Sequence, residues 1–180
     1  LSVRPAAGLP LLHLDEAVLS RSQRTSKRLL DISGSLIILT LFSPFMLMSA
    51  LAVRFTSSGP VIYKQLRVGR GGETFTMFKF RTMKINSESQ LNELRKLHEL
   101  NDPMFKLIND PRVTQVGGFL RKWSLDEIPQ LFNVLGGAMS LVGPRPHPLD
   151  DVGRYEAEAF RRLALKPGMT GLWQVQGRSD

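Results

Sequence analysis

The stretch ISGSLIILTLFSPFMLMSALAV, residues 32–53, decides the fold, because its 22 consecutive residues carry no charge. As an α-helix it would be about 33 Å long, enough to cross a bilayer core of roughly 30 Å. Ser43 and Pro44 divide it into halves, each close to one leaflet in thickness. Because proline removes a helical hydrogen bond, we expect a bend there. The run therefore predicts a helix that enters a membrane.

Basic residues flank the apolar run on both sides. They are Arg21, Arg24, Lys27 and Arg28 before it, and Arg54, Lys64, Arg67 and Arg70 after it. The positive-inside rule places the more basic flank of a membrane helix in the cytoplasm, and here both flanks are basic, so the rule does not assign an orientation. A re-entrant helix, broken at Ser43 and Pro44 with both ends in the cytoplasm, fits length, charge and breaker together. A Pro-kinked spanning helix and a buried core helix of a soluble protein are the alternatives.

Composition indicates an anionic partner. Lys and Arg number 24 against 16 acidic residues, a net charge of +8, so nucleic acid, anionic lipid or a phosphorylated substrate is expected. The 180 residues suit one domain. The sequence has no cysteine, which excludes disulfides, thiolate zinc sites and cysteine nucleophiles. The three histidines lack metal-ligand spacing, which argues against a histidine-based metal site.

The segment after the apolar run, VIYKQLRVGRGGETFTMFKFRTMK, is typical of a β-hairpin. Residues 61–68 and 74–82 are strand-like, and the glycines between them supply the turn. Alternation places Lys79 and Arg81 on one face of the second strand and two phenylalanines on the other. This basic stripe could contact a phosphate, or it could be an ordinary solvated face over a core.

Three further helices are predicted. The first is amphipathic over residues 91–101. The second has Asp110 as its N-cap and Pro111 as its first helical residue, and directs Trp123 inward. The third follows Pro148.

Adjacent carboxylates, Asp126 and Glu127, lie near the start of SLDEIPQLFNVLGGAMSLVGPRP, residues 124–146, and Arg145 lies between two prolines near its end. Two neighbouring acids and a rigidly held guanidinium suit chemistry on a phosphate ester that needs a divalent metal. Alternatively, Asp126 is a helix N-cap, which would put Pro129 in the first turn. Both interpretations can hold together, because a helix N-terminus also attracts phosphate.

Taken together, these segments resemble the bacterial sugar transferases, which are monotopic polyprenyl-phosphate phosphoglycosyl transferases. The matching segments are KRLLDISGSLIILTLFSPFMLMSALAVRF, GPVIYKQLRVGRGGETFTMFKFRTM, NDPRVTQVGGFLRKWSLDEIPQLFNVLGGAMSLVGPRP and KPGMTGLWQVQGR. They cover nearly the whole chain in the family's order. The resemblance implies an α+β, mainly helical fold with a re-entrant membrane helix, a small β-hairpin and amphipathic helices at the membrane interface.

The resemblance also implies an activity. Family members transfer a sugar 1-phosphate from a nucleotide diphosphate sugar to a membrane polyprenyl phosphate, through a covalent phosphosugar intermediate. The step initiates assembly of exopolysaccharide, O-antigen or another glycoconjugate at the cytoplasmic face of the bacterial inner membrane. Carried onto this sequence, Asp126 becomes the nucleophile, Glu127 a catalytic Mg²⁺ ligand, and Arg145 a nucleotide-binding residue. UDP-hexose is the default donor.

The chemistry of the residues agrees with these roles. An aspartate is ionised at neutral pH and needs no base to attack phosphorus. Its difficulty is repulsion by the diphosphate, which Mg²⁺ and nearby cations would offset. The candidate cations for binding phosphate are Lys79, Arg81, Arg112 and Arg145.

The family pattern also suggests a domain organisation. Residues 1–25 are interpreted as a linker from an upstream region, and residues 26–180 as the membrane-associated catalytic domain. The re-entrant helix would cover residues 29–54. Because family members usually continue beyond the QGR segment, we expect this domain to be truncated at its C-terminal end.

Two other classes of protein compete with this interpretation. A nucleic-acid binder would use the charge and the aromatic stripe but has no need of the apolar run, so no nucleic-acid partner is expected. A non-catalytic, basic membrane-anchored adaptor that binds anionic lipids would have no use for Asp126, Glu127 and Arg145 as a set. The expected partners are a nucleotide diphosphate sugar, polyprenyl phosphate and inner-membrane lipids. A homo-oligomer and the identity of the sugar stay open.

Overall fold

The computed structural model describes residues 2–6, 9–13, 20–85, 87, 110–149 and 163–171. The chain forms two compact units, Leu1–Leu30 and Asp31–Asp180. In the first unit, strands β1 (Ser2–Ala6) and β2 (Leu9–His13) form an antiparallel hairpin. This hairpin lies within the segment interpreted as a linker.

The long helix α1 (Arg21–Thr56) contains the whole apolar run and starts eight residues before the predicted position 29. Of the residues that the structure describes, only this helix is long and apolar enough to cross a membrane. Many of its large apolar side chains face outward, as Leu41 does with 66% of its surface exposed. Pro44 lies inside the helix, and the Ser43 hydroxyl donates to the carbonyl of Thr40 at 2.9 Å. The predicted apolar helix is confirmed, and the helix continues through Pro44.

The predicted hairpin is also confirmed. Strands β3 (Ile62–Val68) and β4 (Thr74–Phe80) pair antiparallel, with β3 starting one residue later and β4 ending two residues earlier than predicted. Gly71 and Gly72 in the turn have φ angles of +70° and +84°. Only glycine adopts such angles without strain, which explains why the turn forms here.

Helix α2 (Gln115–Lys122) starts later than the sequence suggested. Its N-cap is Thr114, whose hydroxyl accepts from the Gly117 N–H at 2.9 Å, so the predicted start at Asp110 and Pro111 was wrong. The Asp110 carboxylate instead accepts from the N–H of Arg112, a local turn that competes with helix formation.

Trp123 was also predicted incorrectly. It was expected to point inward, yet it follows the last residue of α2 and is 63% exposed. The helix ends at Lys122, so Trp123 no longer follows the helical spacing that turns Val116 and Leu120 towards the core.

The remaining elements are short. Helix α3 (Gln130–Leu135) is followed by strand β5 (Ser140–Val142), which pairs in parallel with β6 (Gly168–Thr170). This parallel pair was not predicted. The helix expected over residues 91–101 and most of the helix expected after Pro148 lie outside the described residues.

The hairpin β3–β4 separates two buried clusters. Met77 and Phe80 are three residues apart on β4, so the alternation of side chains along a strand puts them on opposite faces. The clusters are Val53, Phe80 and Leu120 on one face, and Met77, Val134 and Met139 on the other. The C-terminal end of α1 and helix α2 therefore cover one face of the hairpin. Helix α3 and the residue preceding β5 cover the other.

The close contact between α2 and the chain at Thr82 yields a stability prediction. A Cβ at Gly117 would overlap the Thr82 carbonyl, whereas a Cβ at the exposed Gly118 would have its nearest neighbour, on Val113, 4.0 Å away. We expect Gly117→Ala to lower the free energy of unfolding by about 1–3 kcal/mol through overpacking. The matched control Gly118→Ala should be neutral or stabilising by up to about 1 kcal/mol. Thermal unfolding in detergent tests the pair, and equal effects would contradict the packing of α2 described above.

Candidate active site

The two adjacent carboxylates lie on a short 3₁₀ turn, Leu125–Glu127, between α2 and α3. Ser124, just before it, has a φ of +55°, the only positive φ among the described residues that are not glycine. Such a backbone is strained, and strain of this kind is often found at functional sites. Asp126 lies within the turn and Pro129 takes the cap position of α3, so the alternative that Asp126 is an N-cap was wrong.

Asp126 is nearly enclosed, with 9% of its surface exposed. Burial raises the pKa of its carboxyl, the positive charge of Lys79 partly opposes that rise, and the negative charge of Glu127 adds to it. Arg121, on α2, also lowers the pKa, although less than Lys79 does. Asp126 is thus a carboxylate whose ionised form is costly here and partly stabilised by two cations.

Lys79, on β4, reaches across to the 3₁₀ turn. Its Nζ lies 2.7 Å from Oε1 of Glu127, and both side chains are about one-fifth to one-quarter exposed, at 20% and 24%. A partly exposed ion pair contributes little stability. Its consequence is positional, because it fixes a cation beside the two carboxylates.

An open depression brings the predicted residues together. Its polar lining includes Lys79, Glu127 and Arg145, together with Arg67 and Gln130, which were not predicted. The nearly buried Asp126 is not among the lining residues. The structure therefore brings Glu127, Lys79 and Arg145 together at one depression, and Asp126, next to Glu127 in the chain, is close enough for the Lys79 charge to lower its pKa.

Arg67 ties β3 to the loop that carries Arg145. Its Nε and Nη2 donate to Oε1 of Gln65 at 3.1 and 2.6 Å, and its Nη1 donates to the carbonyl of Pro146 at 3.3 Å. The strand pairing could have indicated that Arg67 shares a face with Lys79. Gln65 pairs with Met77, and residues two apart on a strand lie on the same face, so Gln65 and Arg67 lie on the face of Lys79.

Asn133 holds α3 against the hairpin. Its Oδ1 accepts from the N–H of Phe78 at 3.0 Å, and its Nδ2 donates to the carbonyl of Thr76 at 2.7 Å. The side chain thereby pairs with the free edge of β4. Because Lys79 follows directly on that strand, these bonds set the separation between Lys79 and the carboxylates that precede α3.

The structure places Arg81 and Arg112 elsewhere. The Arg81 Nη2 donates to the carbonyl and hydroxyl of Ser57, just beyond the C-terminal end of α1, at 2.8 and 2.9 Å. Burial lowers the pKa of Arg81. Arg112 pairs with Asp110 at 2.6 Å, and this hydrogen bond raises the pKa of Arg112. Neither lines the depression described above, so their phosphate-binding roles stay predictions.

Asp31, on α1, is a buried carboxylate that the sequence reasoning missed. It is 4% exposed and accepts from the Ser140 hydroxyl at 2.9 and 3.1 Å and from the Leu141 N–H at 3.1 Å. These bonds join α1 to β5, which leads into the loop bearing Arg145. No local pattern could have revealed a contact between residues 109 positions apart.

The carboxylates fit one kind of metal site. No group of three or more His, Cys, Asp or Glu side chains that could hold a metal occurs within the described ranges. Mg²⁺ is usually held by one or two carboxylates, with water and substrate phosphates completing its octahedral shell. Glu127, on the wall of the depression, fits a Mg²⁺ ion bound in this way together with a phosphorylated substrate.

Comparison with known proteins identifies the family. Residues 22–180 match the model of the family described as bacterial sugar transferase. The chain is 49% identical over 178 residues to the undecaprenyl-phosphate galactose phosphotransferase of Salmonella typhimurium, covering 94% of this chain and 36% of that protein. It is 42% identical over 173 residues to the UDP-glucose:undecaprenyl-phosphate glucose-1-phosphate transferase of Escherichia coli, covering 94% and 35%.

A shorter relative supports the same assignment. The exopolysaccharide production protein ExoY of Rhizobium meliloti is 43% identical over 159 residues, covering 86% of this chain and 70% of that protein. The chain belongs to the bacterial sugar transferase family. It spans little more than a third of the Salmonella protein, at 36%.

Proposed function

We propose that this chain is the catalytic domain of a phosphoglycosyl transferase, which transfers a sugar 1-phosphate from a nucleotide diphosphate sugar to a membrane polyprenyl phosphate. The observation that carries the proposal is that Glu127, Lys79 and Arg145 line one depression, with Asp126 next to Glu127 in the chain and within the influence of the Lys79 charge. The names of the relatives favour a UDP-hexose donor and a role in initiating exopolysaccharide or related glycoconjugate assembly.

The proposed reaction has two displacements at one phosphorus atom. In the first, an Oδ of Asp126 bonds to the phosphorus that carries the sugar, while the bond to the oxygen bridging the two phosphates breaks and releases nucleoside monophosphate. In the second, a phosphate oxygen of the polyprenyl phosphate bonds to the same phosphorus and Asp126 leaves as a carboxylate. Neither displacement requires a base when Asp126 and the lipid phosphate are ionised, and the charges of Lys79 and Arg121 favour the ionised form of Asp126.

Charge neutralisation is the main requirement of the first displacement. Asp126 must approach a diphosphate, and the positive charges of Lys79 and Arg145 reduce the repulsion. Glu127 is proposed to hold Mg²⁺, which would supply further positive charge against the phosphate oxygens when bound. Arg81 and Arg112 would have to leave Ser57 and Asp110, respectively, to contact a phosphate, so we assign them secondary roles.

A re-entrant topology is part of the proposal. Asp31 bonds to β5, and Val53 packs with Phe80 and Leu120, so two positions on α1 contact the same compact unit. A straight helix separates these positions by about 33 Å, close to the thickness of the bilayer core. In a spanning helix they would lie at opposite membrane faces. The paired contacts therefore support a helix that enters and leaves at the cytoplasmic face, with Ser43 and Pro44 as the break.

Two exposed aromatic side chains on and just after α2 support a location of this helix at the membrane surface. Phe119 and Trp123 are four residues apart, one within and one just beyond α2, and are 58% and 63% exposed. Other residues of α2 pack against Val53, so this helix adjoins the apolar segment. Aromatic rings are enriched where membrane meets water. We propose that α2 is one of the amphipathic helices at the inner-membrane surface.

The topology can be tested by labelling single cysteines, since the sequence contains none. Thr25→Cys and Ser58→Cys lie on exposed positions at the two ends of α1. We expect an impermeant thiol reagent to label neither in intact spheroplasts and both in inverted membrane vesicles. Labelling of the two positions from opposite sides would establish a spanning helix and refute the re-entrant one.

The activity itself is tested by release of nucleoside monophosphate from a panel of nucleotide sugars, with polyprenyl phosphate and with or without Mg²⁺. The full-length protein should release it only when the correct sugar and Mg²⁺ are present. An absence of release across the whole panel would favour the alternative, a non-catalytic adaptor that binds anionic lipids.

A further inference from the structure

Gln130 is a largely buried residue whose side chain lines the depression. It is the first residue of α3, is 3% exposed, and lines the depression beside Glu127. No hydrogen bond joins its side chain to another residue in the part of the chain that the structure describes. Among the described residues, the side-chain polar atoms that are both fully buried and unbonded belong to Ser35 and Arg81, and not to Gln130. The Gln130 amide therefore keeps access to solvent in the depression, where its N–H groups can donate to a ligand.

Asn133, one turn further along α3, shows the contrast. It is also buried, at 6% exposed, but both ends of its amide are bonded to the backbone of β4. Its role is therefore fully accounted for by holding the helix in place. Gln130 makes no such bonds, so the structure gives it no comparable role in the fold.

The position of Gln130 suggests what it contacts. It follows Glu127 by three residues and Asp126 by four, where a turn continues into a helix. Side chains at these spacings project from the same side of a helix. The Gln130 side chain therefore lies on the same side of this segment as the two carboxylates and lines the depression together with Glu127.

We propose that the Nε2 of Gln130 donates a hydrogen bond to a non-bridging oxygen of the phosphate that carries the sugar. This inference rests on the proposed function. A neutral donor suits this position, because Lys79 is already held by Glu127 at 2.7 Å. An amide carries no charge, so it is not held in an ion pair as Lys79 is.

The test uses Gln130→Met, which keeps the length of the side chain and removes the donor. Loss of one donor to a reacting phosphate should lower kcat/KM for the nucleotide sugar by about 10- to 100-fold. The melting temperature should not fall, because an unpartnered amide is replaced by an apolar group of similar size. Asn133→Leu is the matched control, and it should lower the melting temperature because two backbone groups of β4 lose their partners.

Binding of nucleoside monophosphate separates contact with the sugar phosphate from a general disturbance of the site. Its inhibition constant should be the same, within about twofold, in Gln130→Met and wild type, while formation of the covalent intermediate without lipid should slow by the factor seen in kcat/KM. Wild-type kcat/KM in Gln130→Met, or lost activity accompanied by a loss of stability like that of Asn133→Leu, would overturn the assignment. Absence of turnover in the wild-type protein would instead refute the proposed function.

Discussion

Asp126→Asn is expected to abolish turnover while the chain remains folded. An amide cannot form the proposed bond to phosphorus, so steady-state release of nucleoside monophosphate should fall by at least about 1,000-fold. The assay uses the full-length protein with nucleotide sugar, polyprenyl phosphate and Mg²⁺. Near wild-type turnover would show that Asp126 is not the nucleophile and would favour direct transfer between the two substrates.

The same substitution should stabilise the fold at neutral pH. Burial raises the pKa of Asp126 in the folded state, so the folded chain binds this proton more tightly than the unfolded chain does. Ionising Asp126 therefore costs stability, and this cost grows as pH rises above the ordinary range of an aspartate. In the presence of a chelator, Asp126→Asn should melt above wild type at pH 7, and the difference should shrink towards about pH 4.

Glu127→Gln provides a comparison within the same turn. The substitution keeps the size of the side chain, but Lys79 loses its ion pair and the depression loses its carboxylate. Turnover should be severely impaired, as for Asp126→Asn, but for a different reason, since Asp126 remains able to attack. Added Mg²⁺ should therefore restore part of the activity of Glu127→Gln and none of that of Asp126→Asn.

The sequence predicted the elements whose signals are local. The uncharged run from residue 32 identified α1, and alternation with a glycine turn identified the β3–β4 hairpin. Asp126 and Glu127 were identified as a candidate site because two adjacent carboxylates suggest metal and phosphate chemistry from the sequence alone. Asp110 misled the prediction of α2, because an aspartate before a proline is a good N-cap, while Thr114, four residues later, is the cap that forms.

The rest depended on contacts distant in sequence. Asp31 lies between the basic residues at the start of α1 and its apolar run, and only its bonds to Ser140 and Leu141 show that it docks the helix. Gln130 reads as an ordinary first-turn residue until its burial and its place in the depression are known. Alternation placed Arg81 with Lys79, but the strand ends at residue 80, after which Arg81 bonds to Ser57.

The covalent intermediate is the second prediction with a large effect. Without polyprenyl phosphate the second displacement cannot occur, so the enzyme should stop after the first. Incubation with nucleotide sugar and Mg²⁺ should release up to one equivalent of nucleoside monophosphate and leave the protein heavier by one sugar phosphate. Adding polyprenyl phosphate should remove this mass and yield the sugar-diphospho-lipid. Asp126→Asn should show neither the release nor the added mass.

Mapping the adduct by peptide mass spectrometry after rapid quenching tests the central claim most directly. Asp126 and Glu127 are adjacent, and it is Glu127 that lines the depression while Asp126 is nearly buried, so the two assignments are distinct alternatives. We predict the sugar phosphate on Asp126. An adduct on Glu127 or on any other residue, or lipid-dependent release with no adduct at the shortest quench times, would contradict the mechanism.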